Sequence, residues 1–260
     1  MAMPTSDPDP LRRFSDRVDD YVRYRPGYPP AVIGLLQAEA GLGPASAVAD
    51  VGAGTGIFTR LLLDTGAKVF AVEPNEAMRG AAEGQFRGRG NFISVPGTAE
   101  ATGLADRSAG LVTCAQAFHW FDPERTRREF RRLLVPDGWC ALIWNTAIVG
   151  GSEFARGYER IKAEFGTDFH AIRHENLEAL NRFDPFFGAG AWKKHSFENF
   201  QSLDLPGLRG RLLSSSYAPK AGDPRHLPML AAVEELFGRC QRGGEIRMDY
   251  TTDVFLGRFR

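Results

Sequence analysis

The amino-acid sequence predicts an α/β fold, doubly wound around a mostly parallel seven-stranded sheet, with an antiparallel last strand and a helical cap insertion. Three observations indicate this class. Short apolar segments rich in β-branched residues alternate with segments of helical periodicity. Such alternation implies right-handed crossovers and a parallel sheet with both faces covered. A glycine-rich turn also stands where the first apolar segment meets a helix.

The alternation begins with an amphipathic helix and continues to residue 144. Apolar residues recur at helical spacing between Pro29 and Ala40, and Gly41 ends that run. Buried strands are predicted at residues 47–51, 68–72, 92–95, 110–115 and 139–144. Helices are predicted at residues 57–63, 75–83 and 123–134.

The regular alternation of predicted strands and helices ends after Asn145. Helices are predicted at residues 153–165 and 175–181, and an aromatic and glycine-rich stretch follows at 183–192. A strand near 195–200, a helix near 224–240 and a final strand at 245–255 would complete the sheet. These boundaries predict a disordered tail at 1–12, a ligand-binding core at 13–145, a helical cap for the substrate at 146–192 and a C-terminal completion of the sheet at 193–260.

The composition argues against several classes of function. Lys and Arg total 32, as do Asp and Glu, so no bulk positive field attracts a nucleic acid or an anionic membrane. No secretion signal opens the sequence, and no segment is apolar for long enough to span a membrane. The histidines have no carboxylate at ligand spacing, which predicts no metal. We therefore expect a cytoplasmic protein whose partner is a small molecule, and the oligomeric state stays open.

The loop with the sequence DVGAGTG, at residues 50–56, is the central signal. Gly52, Gly54 and Gly56 allow a tight turn and a close approach to a ligand, next to a helix start that attracts negative charge. The dinucleotide fingerprint needs a glycine at position 57, where this chain has Ile57. A nucleotide-like ligand fits the loop better than a nicotinamide dinucleotide does, and a turn without a ligand is the simpler alternative.

A carboxylate follows the second predicted strand. Glu73 comes 17 residues after Gly56 and directly after the apolar segment 69–72. At that strand end it can accept hydrogen bonds from both hydroxyls of a ribose. The alternative is a solvated residue that caps the next helix. Together with the glycine loop, the position of Glu73 favours ribose binding.

These motifs resemble those of the class I S-adenosylmethionine-dependent methyltransferases, which have a Rossmann-like core. The DVGAGTG loop corresponds to their cofactor loop, and VFAVEP at 69–74 corresponds to the strand that ends in the ribose acid. The sequence is similar to the small-molecule branch of the trans-aconitate methyltransferases. The motifs that carry this similarity are FSDRVDDYVRYRPGYP at 14–29, GTAEATGL at 97–104, AQAFHWFD at 115–122 and SSSYAP at 214–219.

The resemblance implies S-adenosylmethionine as the cofactor and assigns residues to its parts. The two cofactor motifs contribute Asp50, Gly52, Ala53, Gly54, Glu73 and Pro74. Thr98, Ala99 and Glu100 are expected beside the adenine, and Gln116 beside the methionine part. Many relatives have Asp where Thr98 stands, so Glu100 or a backbone carbonyl would hold the adenine amino group here.

The N-terminal motif implies a second group of contacts. By resemblance, Tyr21, Tyr24 and Arg25 close over the methionine carboxylate and the mouth of the substrate site. A guanidinium can hold a carboxylate with two parallel hydrogen bonds, which gives Arg25 a physical reason for this role. The alternative for Arg25 is a surface residue that fixes the turn at Pro26.

Residues that follow the fourth and fifth strands are candidates for the acceptor site. His119 is either a proton acceptor or a packed histidine that orients the aromatic residues around it. The residues predicted to contact the acceptor are Tyr24, Trp120, Trp144, Asn145 and Tyr217. For Trp144 the alternative is packing in the core.

The sequence therefore predicts an enzyme that transfers the methyl group of S-adenosylmethionine to a small molecule, with O-methylation of a carboxylate or hydroxyl favoured. The alternative is a protein that binds S-adenosylmethionine or its demethylated product, S-adenosylhomocysteine, without turnover. The glycine loop does not separate the two. The aromatic-rich insertion favours the enzyme, because a lidded cavity serves catalysis more than it serves sensing.

Overall fold

The computed structural model describes residues 22–167, 183–215 and 217–260. Within them, the first part contains α1 (Pro30–Ala40), β1 (Ala47–Val51), α2 (Ile57–Asp64), β2 (Lys68–Val72), α3 (Glu76–Gln85), β3 (Phe92–Val95), β4 (Ala109–Ala115), α4 (Pro123–Leu133) and β5 (Leu134–Ala147). The second part contains α5 (Glu153–Phe165), α6 (Phe183–Phe187), β6 (Trp192–Leu203), α7 (Leu205–Leu213), α8 (His226–Cys240) and β7 (Ile246–Gly257).

The strands form one seven-stranded sheet in the order β3-β2-β1-β4-β5-β7-β6. Strand β1 pairs in parallel with β2 and β4, β2 with β3, and β4 with β5, whereas the last strands run antiparallel. This confirms the predicted class: a mostly parallel, doubly wound sheet with an antiparallel end. The ligand-binding edge of such a sheet lies at the carboxyl ends of its parallel strands.

The described residues form two compact units. The larger unit consists of residues 27–146, 183–198 and 251–260, and the smaller unit of residues 22–26, 147–167, 199–215 and 217–250. The larger unit includes residues 183–198, which the sequence prediction divided between the cap and the C-terminal segment. The predicted helix at 175–181 and the predicted tail at 1–12 lie outside the described residues.

Apolar residues on both faces of the sheet hold the larger unit together. Along β1, Val48 belongs to one buried cluster, whereas Ala49 and Val51 belong to the other, because successive side chains of a strand point to opposite faces. Helix α2 contributes Phe58 to the first cluster, and α4 contributes Phe130 to the second. Helices therefore cover both faces, as a doubly wound fold requires.

The smaller unit has a core of its own between α5, α7 and α8. Tyr158, Leu212 and Leu236 are among its buried residues. Helices α5 and α8 approach closely at Gly157, where an added Cβ would lie 2.6 Å from Leu236 Cδ1. A glycine at this point of α5 lets the two helices touch without a gap.

Helix α7 was not predicted, although its start carries a recognisable cap. The side chain of Asp204 accepts a hydrogen bond from Gly207 N at 2.7 Å, which is the pattern of a helix N-terminus. Pro206, Gly207 and Gly210 weaken the helical signal of this segment. Tertiary packing explains Gly210, because an added Cβ there would lie 2.1 Å from the ring of Tyr24.

Candidate active site

Three strand ends of the larger unit lie side by side at one edge of the sheet. Val51, the last residue of β1, is opposite Val72, the last residue of β2, and Asp50 is opposite Thr113 of β4. The DVGAGTG loop follows β1, Glu73 follows β2, and Gln116 follows β4. The order of the strands therefore brings together three of the segments to which the sequence prediction assigned cofactor contacts.

Two glycines of the loop are required by packing inside the protein. An added Cβ at Gly52 would lie 2.5 Å from the Cβ of Ala117 and 3.1 Å from the ring of Phe121. An added Cβ at Gly56 would lie 2.4 Å from the ring of Phe86. Both residues also have a positive φ, of 72° and 87°, which side chains disfavour.

Gly54 is different, because space is open above it. Its φ is 58°, and among the described residues the only atom within 4 Å of an added Cβ is Met78 Sδ, at 3.9 Å. Gly54 N donates a hydrogen bond to Glu73 Oε2 at 2.8 Å, so the loop is tied to the end of β2. The half-buried backbone of Gly54 thus has room beside it for a ligand atom.

The N–H groups at the start of the loop are already used within the protein. Gly52 N and Ala53 N both donate to Val72 O, at 2.9 and 3.1 Å, and Gly54 N donates to Glu73. A pyrophosphate is usually held by free backbone N–H groups of such a loop. Residues 52–54 therefore offer no N–H nest for a phosphate, which argues against a dinucleotide cofactor.

The hydroxyl of Thr55 adds a polar atom to the loop. Thr55 is buried, and its Oγ1 has no hydrogen-bond partner among the described residues. Buried polar groups are normally hydrogen bonded, so an unused hydroxyl next to an open backbone position indicates room for a polar ligand.

Glu73 is held at the end of β2 by hydrogen bonds on both carboxylate oxygens. Oε2 accepts from Gly54 N, and Oε1 accepts from Asn75 N at 2.9 Å. Arg79 Nη1 donates to the carbonyl oxygens of Glu73 and Pro74, at 3.0 and 3.3 Å. Burial raises the pKa of the Glu73 carboxyl, whereas these two N–H donors and Arg79 lower it. Each oxygen keeps a second lone pair that can accept a ribose hydroxyl.

Asp50 lies beneath the loop and is only 1% exposed. Its Oδ2 accepts from Thr59 Oγ1 at 2.6 Å, and its Oδ1 accepts from Thr113 Oγ1 at 2.8 Å. Burial raises the pKa of Asp50 from 3.8 to about 6, although the two threonine hydroxyls lower it. The carboxylate therefore joins β1 to α2 and β4, and faces protein on both oxygens.

The predicted adenine segment forms a tight turn. Thr98 and Ala101 exchange backbone hydrogen bonds of 3.2 and 3.3 Å, with Ala99 buried and Glu100 half-buried at the tip. Glu100 Oε1 accepts from Asp122 N at 3.0 Å, so one oxygen of this side chain is already engaged. The side chain of Thr98 is exposed.

Gln116 has a strained backbone at the end of β4. Its φ is 58°, one of three positive values among the described residues other than glycine. Side chains that adopt this conformation cluster at functional sites. Gln116 Nε2 donates to Asn145 O at 2.9 Å, which links the ends of β4 and β5.

The side-chain amide of Asn145 is hydrogen bonded to two other segments of the larger unit. Its Nδ2 donates to Gly27 O at 3.0 Å, and its Oδ1 accepts from Thr252 Oγ1 at 2.5 Å. Neither Gly27 nor Thr252 was singled out in the sequence, because both are far from Asn145 in the chain. The amide of Asn145 is thus used to position the end of β5.

The aromatic residues of the larger unit pack around Phe118. Trp144 is buried against Phe118, Phe183 and Phe255, with ring centroids 5.7–6.3 Å apart. Trp144 therefore lies in the core cluster, the packing alternative raised by the sequence, and its Nε1 has no hydrogen-bond partner in the described parts of the chain. His119 and Trp120 belong to a 3-10 turn, are half-buried, and have their rings 4.7 Å apart.

The remaining predicted residues belong to the smaller unit. Tyr24 packs on Gly210, and its carbonyl oxygen accepts from Gln201 Nε2 at 3.1 Å. Arg25 Nη2 donates to Ser214 O at 2.8 Å. The carbonyl oxygen of Tyr217 accepts from Thr167 N at 2.9 Å. Tyr21 lies outside the described residues.

Several residues that shape the site were missed in the sequence. Thr59 and Thr113 hold Asp50, Asn75 caps α3 and donates to Glu73, and Met78 is the side chain nearest to Gly54. Only Asn75 carried a local signal, because an Asn before a helix is a common N-cap. The others become neighbours of the site only through the fold.

A model of a family described as a methyltransferase domain matches residues 49–142. A methyltransferase-like protein of Schizosaccharomyces pombe is 36% identical over 249 residues, which is 94% of this chain and 94% of the relative. The chain belongs to the class I S-adenosylmethionine-dependent methyltransferases. The cofactor of this family is S-adenosylmethionine, and the open backbone at Gly54 and the unpartnered hydroxyl of Thr55 are compatible with a polar ligand at this loop.

Other relatives match a shorter part of this methyltransferase. An uncharacterized methyltransferase of Mycobacterium tuberculosis is 40% identical over 133 residues, which is 51% of this chain and 52% of the relative. This chain thus spans about half the length of that relative and of three further ones. The solved structure of a protein described as a type II methyltransferase of Anaeromyxobacter dehalogenans has a TM-score of 0.66 at 24% identity, covering 90% of this chain and 98% of that chain. The structural likeness shows a common fold.

A membrane-spanning helix and a metal-binding group are both absent from the described part of the chain. No helix there is both long and apolar enough to cross a membrane. No three residues among its His, Cys, Asp and Glu side chains are grouped so that they could hold a metal ion.

Proposed function

We propose that this protein transfers the methyl group of S-adenosylmethionine to an oxygen of a small molecule, either a carboxylate or a hydroxyl. The observation that carries the proposal is the pairing of a glycine loop, in which the N–H groups of residues 52–54 are already bonded within the protein, with a buried carboxylate, Glu73, at the next strand end. That pairing suits a cofactor that has a ribose and no phosphate.

Within this proposal, each part of the cofactor has its own residues. Glu73 accepts the ribose hydroxyls, the turn at Thr98–Glu100 borders the adenine, and Gln116 borders the methionine part. Asp50 supports the loop from below through Thr59 and Thr113. The roles of Tyr21, Tyr24 and Arg25 at the methionine carboxylate rest on family resemblance.

The bound cofactor supplies an activated methyl group, so the protein mainly has to orient the acceptor and exclude water. A carboxylate acceptor is already nucleophilic. A hydroxyl acceptor has to lose a proton, and His119, in the turn that follows β4, is the candidate to accept it. Trp120 and Tyr217 are proposed to contact the acceptor, in a cytoplasmic enzyme that needs neither nucleic acid nor membrane.

The test is a search for methylated product. The protein is incubated with S-adenosylmethionine and a panel of small carboxylic acids and phenols, and products are detected by mass spectrometry. We expect one class of acceptor to gain a single methyl group, and S-adenosylhomocysteine to form in equal amount. Cofactor binding without product from any acceptor would favour the non-catalytic alternative.

A further inference from the structure

The loop between β3 and β4, residues 96–108, is fastened to helix α4 at three points. Its predicted adenine turn is tied to the start of the helix, because Glu100 Oε1 accepts a hydrogen bond at 3.0 Å from the backbone N–H of the N-cap residue, Asp122. Farther along the loop, Thr102 and Leu104 bond to side chains in the second half of the helix. The larger unit contains the whole loop and the whole helix.

Glu129 of α4 makes the contact with Thr102. The residue is buried, and its Oε1 accepts hydrogen bonds from Thr102 N and Thr102 Oγ1, at 2.9 and 2.6 Å. Arg132, one turn later in the helix, donates from Nη2 to Oε1 at 2.7 Å and from Nε to Oε2 at 2.9 Å. Both oxygens of a buried carboxylate are therefore engaged, one by the loop and both by the guanidinium.

Arg132 extends this contact along the loop. Its Nη1 donates to Leu104 O at 2.8 Å and to Asp106 Oδ1 at 2.6 Å. Although burial raises the pKa of the Glu129 carboxyl, hydrogen bonds from Arg132 and Thr102 hold it below its usual value. Glu129 is therefore ionised at neutral pH, and its charge-assisted bonds with the guanidinium are strong. The Glu129–Arg132 pair thus fixes the loop from Thr102 to Asp106.

Direct backbone packing joins Thr102 to the turn. An added Cβ at Gly97 would lie 2.4 Å from Thr102 O, so the two backbones touch. Between them, Thr98 and Ala101 close the turn with backbone hydrogen bonds of 3.2 and 3.3 Å. The contacts that hold Thr102 in place therefore also hold the turn.

The tip of the turn has two backbone N–H groups that a purine could use. Ala99 N and Glu100 N donate no hydrogen bond within the described residues. Adenine has an acceptor at N1 and a donor at its 6-amino group, whereas hypoxanthine has a donor at N1 and an acceptor at its 6-oxo group. An N–H group held opposite N1 therefore accepts adenine and rejects hypoxanthine.

We propose that Glu129 and Arg132 are positioning residues for cofactor recognition, which hold the turn at 98–100 so that it selects adenine over hypoxanthine. Neither side chain contacts the cofactor in this role, and both act through Thr102. A donor discriminates between bases only if it keeps its place, because a loose turn can rearrange to satisfy either base. The proposal rests on the proposed function, in which this turn borders the adenine of S-adenosylmethionine.

Two ligands that differ only in the base test this selectivity. S-adenosylhomocysteine carries adenine, and S-inosylhomocysteine carries hypoxanthine on the same ribose and homocysteine. Their dissociation constants are measured by titration calorimetry on the full chain, and the ratio of the two constants is the readout. A merely structural role of the pair would weaken the binding of both ligands alike and leave this ratio unchanged.

Two variants loosen the contact from opposite sides, each with a matched control. Thr102→Val removes the hydroxyl that bonds to Glu129. Its control is Thr126→Val, because Thr126 is a buried residue of α4 whose hydroxyl has no hydrogen-bond partner in the described parts of the chain. Arg132→Lys keeps the charge but loses the two-pronged contact with Glu129. Its control is Arg128→Lys, because Arg128 is exposed on the same helix and forms no ion pair with a described residue.

We expect wild type to bind S-adenosylhomocysteine about tenfold or more tightly than S-inosylhomocysteine. In Thr102→Val and Arg132→Lys this ratio should fall about threefold to tenfold, which is the contribution of one hydrogen bond. Thr126→Val and Arg128→Lys should keep the wild-type ratio. The side chain of Arg132 is 34% exposed, so Arg132→Lys provides the test even where loss of the buried hydroxyl at residue 102 prevents folding.

Three results would overturn the proposal: wild type binds both ligands equally, both variants keep the wild-type ratio, or the affinities for both ligands fall by the same factor. An equal change of the ratio in the two control variants would also overturn it, because the effect would then belong to the helix and not to the Glu129–Arg132 pair.

This test and the test of the proposed function can fail separately. Selectivity is measured by binding alone, so a failure to methylate any acceptor would overturn the proposed function and leave the positioning role standing. Methylated product from wild type, together with an unchanged ratio in both variants, would overturn the positioning role alone.

Discussion

At the scale of single residues, Gly54 is the position where a small change tests the ligand without disturbing the packing. Gly54→Ala places a Cβ in open space, where the nearest atom of the described residues is 3.9 Å away. We expect this Cβ to collide with the bound cofactor and to weaken S-adenosylmethionine binding at least tenfold, measured by titration calorimetry.

The matched control for Gly54→Ala is Gly41→Ala. Gly41 has a similar φ, 67°, and no atom in the described part of the chain lies within 4 Å of an added Cβ. Both variants therefore carry the same backbone strain, about 1–2 kcal/mol, and only one faces the ligand. Equal cofactor affinity in the two variants would show that the ligand does not approach Gly54.

Glu73→Ala tests the proposed ribose contact. Removal of a charge-assisted hydrogen bond costs about 1.5–3 kcal/mol, so we expect S-adenosylmethionine to bind roughly tenfold to a hundredfold more weakly. Glu83→Ala is the control, because Glu83 is an exposed carboxylate on α3 that faces Arg79 at 3.7 Å. Unchanged affinity in Glu73→Ala would remove Glu73 from the site.

Asp50 predicts a specific dependence of stability on pH. Because the pKa of Asp50 rises from 3.8 to about 6 on folding, the folded state binds the extra proton more readily in that range. Its contribution to stability is therefore present at low pH and is lost as pH rises through about 6. Relative to Asp50→Asn, wild type should lose about 1–2 kcal/mol of unfolding free energy between pH 5 and pH 7.

Urea denaturation of both proteins at pH 5 and pH 7 checks this prediction. The comparison with Asp50→Asn cancels the titration of all other groups. A stability difference that is constant with pH would mean that Asp50 titrates normally, despite its burial.

Asp50 also shows what could not be predicted from the sequence. The motif placed Asp50 among the cofactor residues, but the direction of its side chain depends on Thr59 and Thr113, which come from a helix and another strand. The positive φ of Gln116 is equally invisible in the sequence, since glutamine has no preference for it. The turn at the glycines and the position of Glu73 at a strand end could be recognised, because both follow from local chain geometry.

At the scale of elements, two glycine-to-alanine changes in helices should shift the stability of the protein in opposite directions. Gly157→Ala would place a Cβ 2.6 Å from Leu236 Cδ1, and overpacking of this kind costs about 1–3 kcal/mol. Gly80→Ala, in the exposed middle of α3, meets no described atom within 4 Å beyond its own helix backbone and should gain up to about 1 kcal/mol from helix propensity. Urea midpoints measure both, and a stabilising Gly157→Ala would contradict the close contact.

Elements with strong periodicity were predicted from the sequence, and elements shaped by tertiary contacts were not. β1, β2, β3 and α5 have the predicted bounds, because short apolar strands and capped helices carry their signal locally. β3 is half-buried and not buried as predicted, because it is the last strand at one edge of the sheet. Strand β5 starts at Leu134, earlier than the predicted residue 139, and its first part contains Pro136 and Gly138, residue types that are uncommon inside strands. Helix α7 was missed because Gly210, which weakens the helical signal, serves packing against Tyr24.

At the scale of the whole molecule, the alternation of strands and helices was enough to predict the doubly wound sheet. The sequence did not predict that residues 183–198 belong to the larger unit. Phe183, Phe186 and Phe187 are buried in its core, but the sequence does not show which residues they contact. They find Phe118 and Phe255 only in the folded core.

The central claim is that this fold binds S-adenosylmethionine at the glycine loop and Glu73. Titration calorimetry of the full chain with S-adenosylmethionine, and separately with NADH, tests it most directly. We predict saturable binding of S-adenosylmethionine at one site per chain and no binding of NADH, because residues 52–54 have no free N–H groups for a pyrophosphate. Binding of NADH without binding of S-adenosylmethionine would contradict the account.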